Sequence, residues 1–190
     1  MITIVGVGGY GMKMLDYLID NNLKGVKFLA VNTDREALNK CKASEKLLIG
    51  ESLTGGLGAH GDPDIAEKAA IEDKDIIANA LKNTHMAIIA AGMGGGTGTG
   101  AAPVIAQITN QCNAFTVGLV TMPFPFEGSL KNNQTEKWIA RLRESTDIFN
   151  IVKNQMIFGK VDKKASIRAS FDFIHNIQSQ IIMGILRGLA

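Results

Sequence analysis

The sequence predicts an α/β fold: a Rossmann-like, doubly wound and mainly parallel sheet of six strands with helices on both faces, ending in a long apolar helix. Three observations predict it. Short apolar, β-branched runs alternate with longer stretches of helical period, as strands joined by crossover helices require. Glycine is concentrated where three of those runs end, the place where such a sheet presents its ligand loops. The chain, 190 residues with 46% hydrophobic and 20% charged, is long enough for one sizeable core and has an ordinary globular composition. Residues 1–190 are therefore expected to form a single domain.

Taken in order, the first run, Ile2–Val7, leads into Gly6-x-Gly8-x-x-Gly11. That spacing sets a dinucleotide's pyrophosphate against a helix N-terminus, and taken alone it points to a nicotinamide-dependent oxidoreductase. The following helix keeps Leu15, Leu18, Ile19 and Leu23 on one face. Val26–Val31 and Lys46–Ile49 are the second and third strands. A glycine loop, Gly55-Gly56-Leu57-Gly58-Ala59-His60-Gly61, then precedes Asp62-Pro63, an N-cap and a pre-set first helical residue. From there Ile65, Ala69, Ile76, Ala80 and Leu81 predict one helix to about Lys82.

Met86–Ala91, Phe115–Val120 and Ile148–Val152 complete the six strands, and residues 166–189 form the terminal helix. On that helix Ile174, Ile177, Ile181 and Ile185 make one stripe, and Ile182, Met183, Leu186 and Leu189 a second. A helix apolar nearly all round expects burial on several sides.

The chemistry is concentrated after the fourth strand, in MAIIAAGMGGGTGTGAAPVIA. Gly92, Gly94, Gly95, Gly96, Gly98 and Gly100 leave Thr97 and Thr99 as the side chains able to donate hydrogen bonds, and a helical pattern resumes at Ala101. Each glycine costs roughly 0.5–1 kcal/mol relative to alanine in regular structure. Close approach by a ligand justifies so many: main-chain N–H groups converge on phosphate oxygens, a helix N-terminus adds partial positive charge, and threonine hydroxyls complete the cradle. No lysine follows, so this is not the GxxxxGK[ST] loop, and the charge is balanced by N–H dipoles and a magnesium ion. Two phosphate-type loops and a third glycine loop facing one crevice suit a triphosphate better than a pyrophosphate. Nothing offers a substrate domain or a hydride-transfer acid, which removes the oxidoreductase reading.

Other classes are excluded more simply. A net charge of +2 gives no nucleic-acid footprint. Cys41 and Cys112 are the only cysteines, too far apart for a zinc or disulfide framework and expected as buried thiols. His60, His85 and His175 have no metal-ligand spacing. With a strand at Ile2, no signal peptide and no membrane span, the expected location is cytoplasmic.

GGGTGTG resembles the signature loop of the tubulin/FtsZ family. Similarity to FtsZ runs over nearly the whole chain through IVGVGGYG, FLAVNTDREAL, LTGGLGAHGDPDIAEKAA, AAGMGGGTGTGAAPVIA, TVGLVTMPFPFEG and ASFDFIHNIQSQIIMGI. The resemblance implies the GTP-binding domain of a filament-forming cell-division GTPase, with GTP and GDP as ligands and Mg²⁺ beside them. It implies that Gly8, Gly9 and Gly11 form a first phosphate loop. Gly94, Gly95, Gly96, Thr97 and Gly98 then form the signature loop, Asn32 and Asp34 lie near phosphates and metal, and Gly58 and Ala59 sense the γ-phosphate. Thr121, Pro123 and Glu127 match the ribose loop, Asn154 a ribose contact and Phe171 the aromatic that stacks on the base. Lys131 stands where the family carries an arginine.

Departures fall at the base end. Met12-Lys13 replaces an asparagine pair, Tyr10 replaces a glycine, and His175 stands where an aspartate pairs with guanine. A carboxylate accepts from two guanine donors and a neutral imidazole from one, so guanine selectivity is expected to weaken. FtsZ continues into an acidic loop that positions the attacking water for the next subunit, then into a second domain. This chain ends at Ala190 with neither. No catalytic residue is therefore expected within it; hydrolysis needs an acidic loop from a homologous FtsZ-type subunit in a head-to-tail filament. The second function class is a non-hydrolysing FtsZ-like protein that caps or regulates filaments.

Overall fold

The computed structural model describes residues 1–122, 129–154 and 167–188, with only the backbone of 129–134 and 167–169. Its sheet holds β1 (Ile2–Val7), β2 (Lys27–Asn32), β3 (Glu45–Leu48), β4 (Met86–Gly92), β5 (Phe115–Met122) and β6 (Ile148–Lys153). All neighbours pair in parallel, in the order β3-β2-β1-β4-β5-β6. This is the doubly wound order, whose direction reverses between β1 and β4. Register places Val7 of β1 beside Val31 on one side and Ala91 on the other, so the three strands end level at that reversal.

Because strand side chains alternate, each face has its own core. Val5, Val7, Val31, Ile89, Ala91 and Val120 meet α4 (Pro63–Glu72), α5 (Lys74–Leu81), α6 (Gly96–Gln111) and α7 (Ser129–Glu144) through residues such as Ala69, Ile77, Leu81, Ile105 and Leu142. Ile4, Ala30, Ile88, Ala90, Leu119 and Val152 meet α1 (Gly8–Asp20), α2 (Arg35–Lys40) and α8 (Ile167–Arg187) through Met14, Leu15, Leu18, Leu38, Ile174 and Ile182. A one-turn helix, α3 (Glu51–Thr54), links β3 to the loop before α4. Among the described residues no helix is long and apolar enough to cross a membrane.

Three expectations need correction. The helix predicted from Pro63 to about Lys82 is two helices, because Asp73 leaves the helical run and its Oδ2 accepts the Gly50 N–H at 2.6 Å. The break changes the phase, so Ile77 is fully buried while Ile76, predicted for the inner face, is 52% exposed. The helix after the glycine loop starts at Gly96 and not at Ala101; glycines carry no apolar side chain, so periodicity does not register them. Finally, α8 is not buried through hydrocarbon alone: His175 and Gln178 are as buried as Ile174 and Ile182. Residue 189 lies outside the described residues.

The glycines are needed mainly for close backbone packing. A Cβ at Gly100 would stand 1.9 Å from the Pro63 carbonyl oxygen, and one at Gly98 would stand 2.6 Å from that of Gly92. At Gly95 and Gly9 a Cβ would meet nothing within 4 Å. Overpacking a tight site costs roughly 1–3 kcal/mol or more. Gly100→Ala is therefore expected to lower unfolding stability by about 3 kcal/mol and Gly95→Ala by under about 0.5 kcal/mol, read as midpoint shifts in urea titrations.

Candidate nucleotide-binding site

Two helices start at the reversal point. β1 passes straight into α1 at Gly8, and β4 reaches α6 through Gly95 as N-cap; neither cap supplies a side-chain hydrogen bond. The main-chain N–H groups of both first turns are thus left to another acceptor. The two turns are in contact: a Cβ on Gly8, at φ +69°, would lie 2.8 Å from the Gly98 nitrogen. Their positive dipole ends share one place, where an anion is favoured. Gly94, at φ 105°, makes the turn, and its N–H donates to Thr99 Oγ1 at 2.9 Å.

A cavity of about 400 Å³ opens on these turns, lined by Gly9, Tyr10, Gly92 through Gly98, Thr121, Asn154 and Phe171. A second, of about 340 Å³, shares Gly9, Gly96 and Thr97 with it and adds Asn32, Asp34, Leu57, Gly58, Ala59 and His60. A hydrogen-bond chain ties the two together. Thr33 Oγ1 and Thr97 Oγ1 are 2.7 Å apart, the Gly58 N–H donates to the Thr33 carbonyl at 3.1 Å, and the Arg35 N–H to that of Gly56 at 2.9 Å.

The predicted site residues divide by place. Gly9, Gly94, Gly95, Gly96, Thr97, Gly98, Thr121, Asn154 and Phe171 line the first cavity, and Asn32, Asp34, Gly58 and Ala59 the second. Gly8 and Gly11 line neither; Gly11 packs behind the cradle, where a Cβ would lie 2.3 Å from the Ala90 carbonyl oxygen. Pro123 and Glu127 lie outside the described residues, and of Lys131 only the backbone, within α7, is described. His175 lines a third cavity of about 550 Å³ between α1 and α8, with Lys13, Asp16, Tyr17 and Asp172.

Asp34 caps α2, its Oδ1 accepting the Ala37 N–H at 2.9 Å, and Asn32 Oδ1 accepts the Thr33 N–H at 2.9 Å. No group of three or more His, Cys, Asp or Glu among the described residues forms a metal site. A hard cation held by one carboxylate and by ligand phosphates needs none, and Asp34 in the second cavity is a donor of that kind.

The side of the first cavity toward α8 holds Tyr17 and Gln178, which the sequence reading did not assign, beside Tyr10 and His175, which it named. The Tyr10 hydroxyl donates to Gln178 Oε1 at 2.9 Å. Burial pushes the phenol above its usual value, against the hydrogen bond from Thr121. The His175 ring sits between Tyr10 and Tyr17, with centroids 5.0 and 5.7 Å away. Burial pulls its imidazole from 6.5 down to about 4, with Asp172 opposing and Lys13 assisting. Among the described residues Asn154 Oδ1, His175 Nε2 and Gln178 Nε2 are buried without a hydrogen-bond partner. The available signal for Gln178 was its position three residues after His175, on the same face of an otherwise largely apolar helix.

Comparison with known proteins agrees with this architecture. Residues 1–162 match the model of the Tubulin/FtsZ family, GTPase domain. An FtsZ dimer structure from M. jannaschii, in its empty form, is 39% identical with a TM-score of 0.87, over 93% of this chain and 51% of that one. A point mutant of FtsZ from the same organism is 37% identical with a TM-score of 0.90, over 97% and 55% of the two chains. CetZ1 from Haloferax volcanii, a GDP-bound monomer, shares the fold at 24% identity and a TM-score of 0.79, over 92% and 56%. The chain spans about half the length of these relatives.

The neutral His175 makes stability depend on pH. Its folded value of about 4 lies below the ordinary 6.5, so the folded state favours the uncharged ring. Its contribution is complete above 6.5 and is lost as pH falls toward 4. At roughly 1.4 kcal/mol per unit the loss is about 3 kcal/mol. Urea unfolding at pH 7 and pH 4.5 should show a larger drop in the wild type than in His175→Phe, which keeps a ring between the tyrosines.

Proposed function

From the premise that the chain belongs to the tubulin/FtsZ family through its GTPase domain, we propose that it binds GTP and GDP across the two connected cavities. The observation that carries this reading is the meeting of two long, uncapped helix N-termini at one sheet reversal, beside the glycine positions, Gly9 and Gly95, where a side chain would meet nothing. Main-chain dipoles there stabilise a polyphosphate without a lysine, as phosphoryl-transfer sites do by positioning and electrostatics.

In this reading Gly94 through Gly98 and Gly9 hold the β- and γ-phosphates, with the Thr97 hydroxyl. Gly8 and Gly11 serve by letting α1 approach β4 and α6. The γ-phosphate points toward Gly58 and Ala59. Magnesium, bound with the nucleotide, neutralises phosphate charge, and Asp34 is the carboxylate that would hold it, with Asn32 beside it. Thr121 and Asn154 face the ribose, whose hydroxyl satisfies the unpartnered Asn154 Oδ1. Phe171 stacks on the base, with Pro123, Glu127 and Lys131 in the ribose region.

Among the described residues of the two cavities Asp34 is the one carboxylate, and its capping bond to Ala37 commits it to position rather than to proton abstraction. Hydrolysis therefore depends on an acidic group from a second, homologous subunit meeting this face in a cell-division filament, in the cytoplasm. Titration calorimetry with GTP and magnesium should give saturable binding. Gly95→Val should fold normally and bind at least about tenfold more weakly, equal to about 1.4 kcal/mol, because its side chain enters the cradle. Turnover by the chain alone should be slow and should rise when a full-length homologue is added. Absence of heat with GTP, GDP and inorganic triphosphate alike would remove the proposal.

A further inference from the structure

The loop beside the second cavity carries a side chain that its own turn does not use. The Asp62 N–H donates to the Ala59 carbonyl at 2.8 Å, and the two residues between them, His60 and Gly61, stand at φ +48° and +80°. Positive φ at both central positions is the pattern of a type I′ turn, which glycine, asparagine and aspartate fill most readily. Histidine is tolerated there, but the turn's hydrogen bond runs between its neighbours and the imidazole takes no part in it. A non-glycine residue held at positive φ where glycine would serve directs attention to its side chain.

Both ends of this turn are pinned to the cradle. Before it, the Gly58 N–H donates to the Thr33 carbonyl, and buried Ala59 has its Cβ 3.1 Å from where a Cβ on Gly96 would stand. After it, Asp62 Oδ1 accepts the Asp64 N–H at 2.8 Å as the cap of α4, and the Asp62 nitrogen lies 2.9 Å from that same Gly96 position. The turn is thereby fixed relative to the first turn of α6. Among the described residues, His60 and Gly61 alone line both the second cavity and a further one of about 480 Å³, which Asp62, Asp64, Lys137 and Trp138 also line. His60 is exposed on that crest, so its ring changes rotamer freely. The second cavity joins it to Gly96 and Thr97, in the first turn of α6, and to Asp34. Neutral or protonated, an imidazole keeps at least one N–H donor. A donor at this place complements an anion that a helix N-terminus already favours.

We propose that His60 is a ligand-binding side chain: its ring N–H donates to the terminal phosphate of a triphosphate in the second cavity and so separates triphosphate from diphosphate. This rests on the nucleotide reading above and deepens it, because main-chain N–H groups hold the phosphates common to both ligands while one side chain detects the third. His60→Gly removes the ring and suits positive φ, so its unfolding midpoint in urea should equal or exceed that of the wild type. Calorimetry with magnesium should show it binding GTP at least about fivefold more weakly than the wild type and GDP within about twofold. Inorganic tripolyphosphate against pyrophosphate should repeat the split without a base. His60→Asn, which also tolerates positive φ but has a shorter arm, should behave as His60→Gly does. A His60→Gly protein with the wild-type ratio of GTP to GDP affinity would overturn the inference, whether it loses neither affinity or both alike, since an equal loss marks the ring as a prop for the loop. Failure of the wild type to bind any of the four ligands would strike the nucleotide reading itself, and this inference with it.

Discussion

The structure depends on bringing three backbones within van der Waals distance at the point where strand order reverses. α1 lies against β4 through Gly11 and the Ala90 carbonyl, α6 lies against β4 through Gly98 and the Gly92 carbonyl, and α4 lies against α6 through Gly100 and the Pro63 carbonyl. Each contact is closer than any side chain permits. With a methyl group at any of these positions, the helix axes separate and their N-termini no longer share one focus. The shared focus of the two helix N-termini is therefore a consequence of backbone packing at Gly11, Gly98 and Gly100.

Beyond this contact, the loops are placed by hydrogen bonds rather than by hydrophobic cover. Thr33 and Thr97 link the end of β2 to the first turn of α6, and Thr33 in turn accepts from Gly58. A chain of that kind holds two loops at fixed distance from the cradle while leaving their outer surfaces to solvent and to other molecules. Asp34 is oriented by its cap on α2, so the carboxylate nearest the second cavity is kept in place whether or not a cation is present. Positioning precedes binding throughout this half of the site.

Legibility in the sequence followed the range of the interaction. Strand positions were readable to within a residue or two because alternation and β-branching are local. The break at Asp73 was not, because its cause is the Gly50 N–H, which periodicity within the helix does not contain. The start of α6 was hidden because its first turn is made of residues without apolar side chains. In the candidate site, the crowded glycine loop singled out in the sequence lines the first cavity. Glycine alone did not tell which positions face open space: Gly9 and Gly95 do, while a Cβ at Gly96, Gly98 or Gly100 would meet protein. The Tyr10–Gln178 bond joins residues 168 positions apart, and no spacing rule reaches that far.

The same contrast separates the cradle from the wall that α1 and α8 form. A cradle closed by backbone contacts tolerates little at Gly98 and Gly100, where a Cβ would meet a carbonyl oxygen, whereas Gly9 and Gly95 face open space. The wall between α1 and α8 is built from side chains, and a side chain can be exchanged without moving either helix. Tyr10, Met12 and Lys13 on α1 and His175 on α8 are all of this second kind. Tyr10, Lys13 and His175 form one connected neighbourhood, since Tyr10 touches His175 and Lys13 and His175 share a cavity, whereas Met12 Sδ accepts from Asn32 Nδ2 at 3.7 Å toward the second cavity. Placing a phenol in that neighbourhood requires a polar partner inside an otherwise apolar helix face, which Gln178 supplies. The pair is then self-consistent, so the α1–α8 wall is held by side chains while the cradle is held by backbone packing.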